Sequence, residues 1–125
     1  YLMKETISNR NIIRSGIDYM EYLMSWVKDV KQEKGFLQIG GGIAGDFAIA
    51  AVPTVIQCLG EDMPKWSYFC QVSDSTTSYG SYSGAVPSEK ITWKKIDPSA
   101  QTFLIESDAT IVVPMLFEYV LGDVR

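Results

Sequence analysis

The sequence predicts an α/β fold of three layers, in which helices cover both faces of a parallel sheet. Three short apolar runs alternate with four stretches of helical character, an order that is typical of parallel sheets. The runs are apolar along nearly their whole length, as expected of strands that are buried on both faces. A chain of 125 residues can form one core, and three strands make only part of a doubly wound domain.

The first half predicts two helices joined through a strand. Apolar residues recur at three- and four-residue spacing over 9–34, which indicates a helix with one buried stripe, and Gly35 suits a left-handed C-cap. Residues 36–39 predict the first strand, which three glycines end. Residues 46–59 are apolar almost all round, so we expect a buried helix that Pro53 kinks or restarts.

The second half predicts two strands, a long loop and two helices. Residues 66–72 are aromatic and β-branched and predict the second strand, after which residues 73–84 form a loop rich in Ser, Thr, Tyr and Gly. Residues 87–95 predict a short helix and 102–106 the third strand. Ser107 and Asp108 are suited to cap a last helix, which we expect to end near Gly122.

Composition excludes several classes of function. Asp and Glu outnumber Lys and Arg by 15 to 11, and this negative balance disfavours nucleic-acid binding. The absence of histidine excludes Ser–His and Cys–His nucleophile pairs and histidine-ligated metals, provided that this chain holds the whole site. Cys58 and Cys70 are too far apart for a CxxC zinc pair, so we expect no metal and a reducing, cytoplasmic compartment.

The chain carries no recognisable targeting or membrane signal. Its most apolar stretch, 109–121, is too short to span a bilayer and contains Pro114 and Glu118. The sequence begins with Tyr1 and no charged, apolar leader follows. We therefore expect a piece of a longer protein that does not contact membranes.

Ligands of parallel sheets bind beyond the carboxyl ends of the strands, so the residues that follow each strand are candidates. Residues 40–45 fit the G-x-G-x-x-G pattern, whose glycines let the backbone approach a pyrophosphate at a helix N-terminus. A tight strand–helix turn explains these glycines equally well, and Asp46 would repel a phosphate. Asp74, the nearest candidate for the ribose acid, comes late, and Asp108 suits either ribose hydroxyls or a helix cap.

Two further segments are candidates for a site. The loop at 73–84 is long for a compact α/β unit, and its hydroxyls and two phenols suit hydrogen bonding to sugars, amides or amines, with a surface linker as the alternative. In the segment 89–95, Glu89 and Trp93 fall on one helix face and suit a cationic polyamine. The adjacent Lys94 and Lys95 suit either a solvated turn or an amine nucleophile, because a neighbouring charge and an indole favour the neutral amine.

Together these blocks resemble the deoxyhypusine synthase family, and in particular its bacterial deoxyhypusine synthase-like group. The resemblance runs from about Gly35 to the end and rests on residues 40–42, Gly80-Ser81, Ser83-Gly84-Ala85, Glu89, Trp93, Lys95 and Ser107-Asp108-Ala109. It implies that residues 1–125 are the C-terminal portion of a single Rossmann-like, NAD-binding catalytic domain. The family forms tetramers with shared sites, which implies a homotetramer.

The resemblance implies an NAD-dependent aminobutyl transferase. In the family, NAD takes hydride from spermidine, the oxidised polyamine is cleaved, and a lysine holds the butylimine before passing it to an acceptor amine. That lysine follows a tryptophan by two residues, which implies that Lys95 is the nucleophile. The acceptor is a protein lysine or a small amine such as putrescine. A non-catalytic nucleotide-binding or assembly module is the alternative function.

The family's other functional positions carry over residue by residue. The implied polyamine contacts are Glu89, Trp93, Gly80, Ser81, Tyr82 and Asp46. The implied NAD contacts are Gly41, Asp74, Ser75, Asp108 and Ala109.

Four positions depart from the family pattern. Asp46 stands in place of a histidine, Lys94 in place of the glycine of a W-G-K motif, and Tyr79 and Tyr82 in place of two aspartates. Since those aspartates belong to the protein-modifying enzymes, the departures favour the bacterial group and a small amine as acceptor.

Overall fold

The computed structural model describes residues 1–76 and 84–122 of the chain. Its strands, β1 (Gly35–Ile39), β2 (Trp66–Ser73) and β3 (Ile96–Glu106), pair in parallel in the order β1-β2-β3. The helices are α1 (Leu2–Ser8), α2 (Gly16–Asp29), α3 (Gly42–Ile49), α4 (Ala51–Cys58), α5 (Pro87–Thr92) and α6 (Ala109–Gly122), with a 3-10 turn at Arg10–Ile12. The predicted α/β class with a parallel sheet is confirmed.

The helix predicted over 9–34 is shorter than its periodicity indicates. It begins only after Ser15, because the Ser15 hydroxyl accepts a hydrogen bond from the Asp18 amide and the Asp18 carboxylate accepts one from the Ser15 amide. Ile13 therefore lies outside α2 and is exposed. Ile17 lies inside α2 but is exposed as well. The helix ends at Asp29, and Gly35 is the first residue of β1 rather than a C-cap.

The helix predicted over 46–59 begins earlier, at Gly42, and is broken into α3 and α4. Pro53 explains the break, because it has no N–H to donate to the Ile49 carbonyl four residues back. The indole Nε1 of Trp66 donates to that carbonyl instead, at 3.2 Å. The predicted restart is thus present, and α4 begins at Ala51, two residues before the proline.

Two elements of the second half differ from their predicted lengths. β3 begins at Ile96 rather than at residue 102, and an irregular register opposite residues 66–68 accommodates its polar start. Pro98 is tolerated there because β3 is an edge strand of the described sheet. Helix α5 ends at Thr92 rather than at residue 95, whereas α6 begins after Asp108 and ends at Gly122 as predicted.

The core lies between the sheet and α2 and α4. Its buried members are Val27, Ile49, Ala51, Val52, Val55, Trp66, Phe69 and Ile96. Helix α6 contacts β2 but buries none of its residues. In the part of the chain that the structure describes, no helix is long and apolar enough to span a bilayer.

Candidate functional site

The parallel register brings the ends of the three strands to one edge of the sheet. Ile39 of β1 pairs with Val72 of β2, which pairs with Ile105 of β3. The segments that follow these strands contain Gly41, Asp74 and Asp108. All three therefore follow strand ends at the same edge.

The glycine turn after β1 is held by two buried amide side chains. Gln38 Nε2 donates to the Gly40 carbonyl at 3.2 Å and to the Gly41 carbonyl at 2.7 Å, and Gln71 Nε2 donates to the Gly40 carbonyl at 3.0 Å. Gly40 has a φ of +109°, which requires glycine. The sequence analysis missed both glutamines, although each is a polar residue within an apolar strand and the two pair in register.

The start of α3 lies against the segment that precedes α5. A Cβ atom on Gly42 would lie 3.2 Å from Gly84 Cα and 2.9 Å from Asp46 Oδ2. Only glycine at residue 42 therefore allows this approach. Since Asp46 lines the pocket described below, the glycine turn and that pocket are neighbours.

At the ends of β2 and β3, polar groups are fixed by short-range hydrogen bonds. Asp108 Oδ1 accepts from Thr110 Oγ1 at 2.7 Å and from the Thr110 amide at 2.8 Å, and these bonds lower the pKa of Asp108. The Ser75 hydroxyl donates to Asp74 Oδ1 at 3.3 Å. Asp74, Ser75 and Asp108 are exposed at the edge, where a ligand can reach them.

Helix α5 ends in a Schellman turn that ties the backbone of Lys95 to that of Lys90. The Lys94 amide donates to the Ile91 carbonyl and the Lys95 amide to the Lys90 carbonyl, both at 2.9 Å. Lys94 has a φ of +59°, the left-handed conformation in which helices usually place glycine. The left-handed backbone at this position explains why the family has a glycine there. The Lys94 side chain is exposed.

The turn closes one side of a pocket of about 310 Å³. Its lining residues are Asp46, Ala85, Glu89, Lys90, Trp93 and Lys95. Lys95 Nζ lies 3.5 Å from Asp46 Oδ1, and Lys90 Nζ lies 3.8 Å from the same oxygen. Trp93 is 66% exposed, so its indole is available to a ligand.

Lys90 is the pocket residue that the sequence analysis missed. Burial lowers its pKa, nearby Asp46 opposes that shift, and the charge of Lys95 adds to it. Its Nζ has no hydrogen-bond partner among the described residues and lies 5.1 Å from the centre of the Phe69 ring. No sequence signal separates this lysine from a solvated one, because its burial depends on tertiary packing.

The structure brings together some of the predicted site residues. Asp46, Glu89, Trp93 and Lys95 line one pocket, whereas Gly41, Asp74, Ser75, Asp108 and Ala109 follow the strand ends. Asp46 was expected at a helix start, but it lies one turn inside α3 and its carboxylate faces two lysines. Gly80, Ser81, Tyr82 and Tyr79 lie outside the described residues.

Metal ligation has no support in the ranges 1–76 and 84–122. No cluster of three or more Cys, Asp or Glu residues there is arranged to hold an ion. Cys58 and Cys70 are both free thiols, and burial raises the pKa of Cys70.

Replacing Lys94 by glycine in the intact protein is expected to raise the free energy of unfolding by about 1 kcal/mol, because glycine removes the left-handed strain. Urea unfolding measures the change. Lys94→Ala is the matched control and should leave stability nearly unchanged, since alanine retains the Cβ atom. Equal stability of the two variants would contradict this explanation.

Comparison with known proteins agrees with the resemblance. Residues 2–120 match the family model of deoxyhypusine synthase. The chain is 36% identical over 98 residues to a deoxyhypusine synthase-like protein of Cyanothece sp. (77% of this chain, 24% of that protein). It is 37% identical over 94 residues to one of Thermosynechococcus vestitus (74% and 23%). It is 32% identical over 91 residues to probable deoxyhypusine synthase 1 of Archaeoglobus fulgidus (73% and 28%).

The chain thus spans about a quarter of the length of these curated relatives. The family match begins at residue 2, well before Gly35, so it is longer than the resemblance that the motifs indicate. The match covers nearly the whole chain, including the glycine turn, the Schellman turn and the pocket between them. This chain belongs to the deoxyhypusine synthase family.

Proposed function

We propose that this chain supplies the nucleophile and polyamine pocket of an NAD-dependent aminobutyl transferase, as the C-terminal portion of its catalytic domain. The observation that carries the proposal is the pocket in which Lys95 lies beside Asp46, Glu89 and Trp93. A binding or assembly module has no need of an amine and a carboxylate beside an exposed indole. The pocket therefore favours the enzyme over the non-catalytic alternative.

The residues at the sheet edge fit NAD. The glycine turn leads into the N-terminus of α3, where backbone amides suit a pyrophosphate, and buried glutamines fix its carbonyls. Asp108, whose pKa is lowered, supplies a carboxylate for ribose hydroxyls. When bound, NAD supplies a hydride acceptor for the carbon beside the donor's nitrogen and later returns the hydride.

Replacing Gly41 by valine in the intact protein is expected to weaken NAD binding by roughly tenfold or more, because the side chain blocks backbone approach to the pyrophosphate. Isothermal calorimetry measures the affinity. Gly122→Val is the matched control, since among the described residues a Cβ there meets Glu118 alone, at the end of α6. Unchanged NAD affinity in Gly41→Val would count against this site.

The charges of the pocket suit a cationic substrate. Glu89 and the face of Trp93 bind a substrate ammonium, while Asp46 is occupied by Lys90 and Lys95. Tyr79 and Tyr82 stand where the protein-modifying enzymes of the family carry two aspartates. This departure supports a small-amine acceptor such as putrescine over a protein lysine.

Lys95 carries the transfer as a nucleophile. Its neutral amine adds to the imine carbon of the oxidised donor, the bond from that carbon to the departing amine breaks, and the departing amine takes up a proton. The butylimine then remains on Lys95. The acceptor amine attacks the same carbon, and Lys95 leaves as the free amine.

The proposal includes a homotetramer in the cytoplasm. The family resemblance implies the tetramer, and the two widely spaced cysteines favour a reducing, cytoplasmic compartment. The exposed apolar side chains of α6, including Ile111, Met115 and Phe117, support an association surface.

The test is mass spectrometry of the products that the intact protein forms with NAD, spermidine and putrescine. Homospermidine together with diaminopropane is the expected result. NAD binding without any transfer product from these or other polyamines would instead support the non-catalytic module.

A further inference from the structure

We propose that Lys90 is a positioning residue that engages Asp46 and so limits the pairing between Asp46 and Lys95. The inference rests on the proposed function, in which Lys95 is the nucleophile. It assigns a role to the one pocket residue that neither the family resemblance nor the reaction step uses.

The Schellman turn builds the arrangement. Because the Lys95 amide donates to the Lys90 carbonyl, the two backbones are tied together at 2.9 Å where the helix ends. A Schellman turn commonly places an apolar contact between these two positions. Here both side chains are lysines, and their amines converge on one oxygen of Asp46.

The two lysines differ in access to the pocket. The side chain of Lys90 is 0% exposed and that of Lys95 is 16% exposed. Lys90 Nζ lies over the Phe69 ring of β2, in the core, so a substrate cannot reach it without displacing the protein. Lys95 therefore meets the substrate, whereas Lys90 acts through Asp46 and through its own charge near Lys95.

In the described part of the chain, four charged residues lie at or near Asp46 Oδ1, Asp46 itself included. Asp46 comes from α3, Glu89 and Lys90 come from α5, and Lys95 follows the turn, while β2 contributes the uncharged Phe69. Glu89 and Asp46 both favour the protonated form of Lys90, and burial opposes it. Asp46 is thus the ion-pair partner that compensates the burial of Lys90.

Because Lys90 and Lys95 share the Asp46 carboxylate, Lys90 affects the nucleophile Lys95. A carboxylate beside a lysine favours the ammonium form, which cannot attack a carbonyl or imine carbon. When a second amine engages the same oxygen, the carboxylate stabilises the first ammonium less. Lys90 therefore weakens the ion pair in which Asp46 holds Lys95.

The test is the pH dependence of reductive alkylation of Lys95 in the intact protein. Butyraldehyde condenses with the amine to form an imine and water, and cyanoborohydride reduces the imine to a stable secondary amine. Peptide mass mapping gives the initial rate at Lys95 from pH 6 to 10. In Lys90→Met we expect the midpoint to move upward by roughly half to one pH unit and the rate at pH 7 to fall about three- to tenfold.

Two controls separate positioning from folding. In the Asp46→Asn background, Lys90→Met should produce a markedly smaller shift, because the shared carboxylate is gone. Lys34 is the other buried lysine among the described residues and lies outside this pocket, so Lys34→Met should leave the midpoint unchanged. If Lys90→Met does not fold, Lys90→Gln provides a second test, because it removes the charge while it retains a polar side chain, and it should move the midpoint upward in the same way.

An unchanged midpoint in folded Lys90→Met, or an equal shift with and without Asp46, would overturn the inference. Because the aldehyde probe needs neither NAD nor polyamine, this outcome is distinct from failure of the proposed function. That failure is the absence of any polyamine-derived product from the wild-type protein.

Discussion

Replacing Lys95 by alanine in the intact protein is expected to lower the rate of aminobutyl transfer by about a thousandfold or more. Removal of a covalent nucleophile has effects of this size because no second group takes over its step. Within the described structure, Lys90 is fully buried and Lys94 is exposed outside the pocket lining, so neither replaces Lys95. Product analysis with NAD, spermidine and putrescine measures the rate.

Borohydride trapping identifies the residue directly. The intact protein is reduced in the presence of NAD and polyamine, and peptide mapping should then locate the aminobutyl adduct on Lys95. Lys94→Ala is the matched control, because it changes the neighbouring lysine while keeping a Cβ atom in the left-handed turn. An adduct on Lys94 or Lys90, or full activity in Lys95→Ala, would refute the assignment.

The order of the elements and the parallel sheet were predictable because they follow from patterns of burial. Strands buried on both faces are largely apolar, and β2 is buried in this way from Phe69 to Ser73, whereas β1 and β3 have exposed residues along their length. The start of α2 was not predicted, because Ile13 and Ile17 continue the helical spacing although both are exposed. The capping pair of Ser15 and Asp18 was the better signal, since it satisfies backbone groups directly.

The site was predictable where its residues are close together in sequence. Glu89, Trp93 and Lys95 lie within seven residues and line one pocket. Lys90 lies among them but was not identified, because a lysine is usually solvated and its burial depends on Asp46 and Phe69 from other elements.

The two glutamines beneath the glycine turn were missed for a related reason. Gln38 and Gln71 belong to different strands, and only the parallel register places them under the same carbonyl. A polar residue in an apolar strand is a weak signal until its partner is known. The contribution of Gln38 to the stability of the glycine turn can nevertheless be tested directly, because Gly45 packs against its side chain.

Replacing Gly45 by alanine in the intact protein is expected to lower the free energy of unfolding by about 3 kcal/mol, as overpacking of a rigid site does. A Cβ there would lie 2.5 Å from Gln38 Cδ and 2.9 Å from Gln38 Cγ. Gln38 is only 1% exposed and cannot swing into solvent. Its displacement breaks the hydrogen bonds to the glycine turn, so we expect NAD affinity to fall together with stability in urea unfolding and calorimetry.

Two further variants show whether the Gln38 contact causes the loss. Gly16→Ala adds the same methyl group where the nearest atom, Phe47 Cε2, is 4.0 Å away, so stability should be unchanged or higher by about 0.5 kcal/mol. In a Gln38→Ala background the methyl group of Gly45→Ala has room, and its cost should largely disappear. A Gly45→Ala variant as stable as the wild type, or one whose cost persists without the Gln38 side chain, would contradict this packing. Gln38 holds both the Gly40 and the Gly41 carbonyl, and its own position requires that residue 45 has no side chain. If the expected losses are found, the glycine turn depends on the absence of one methyl group in α3.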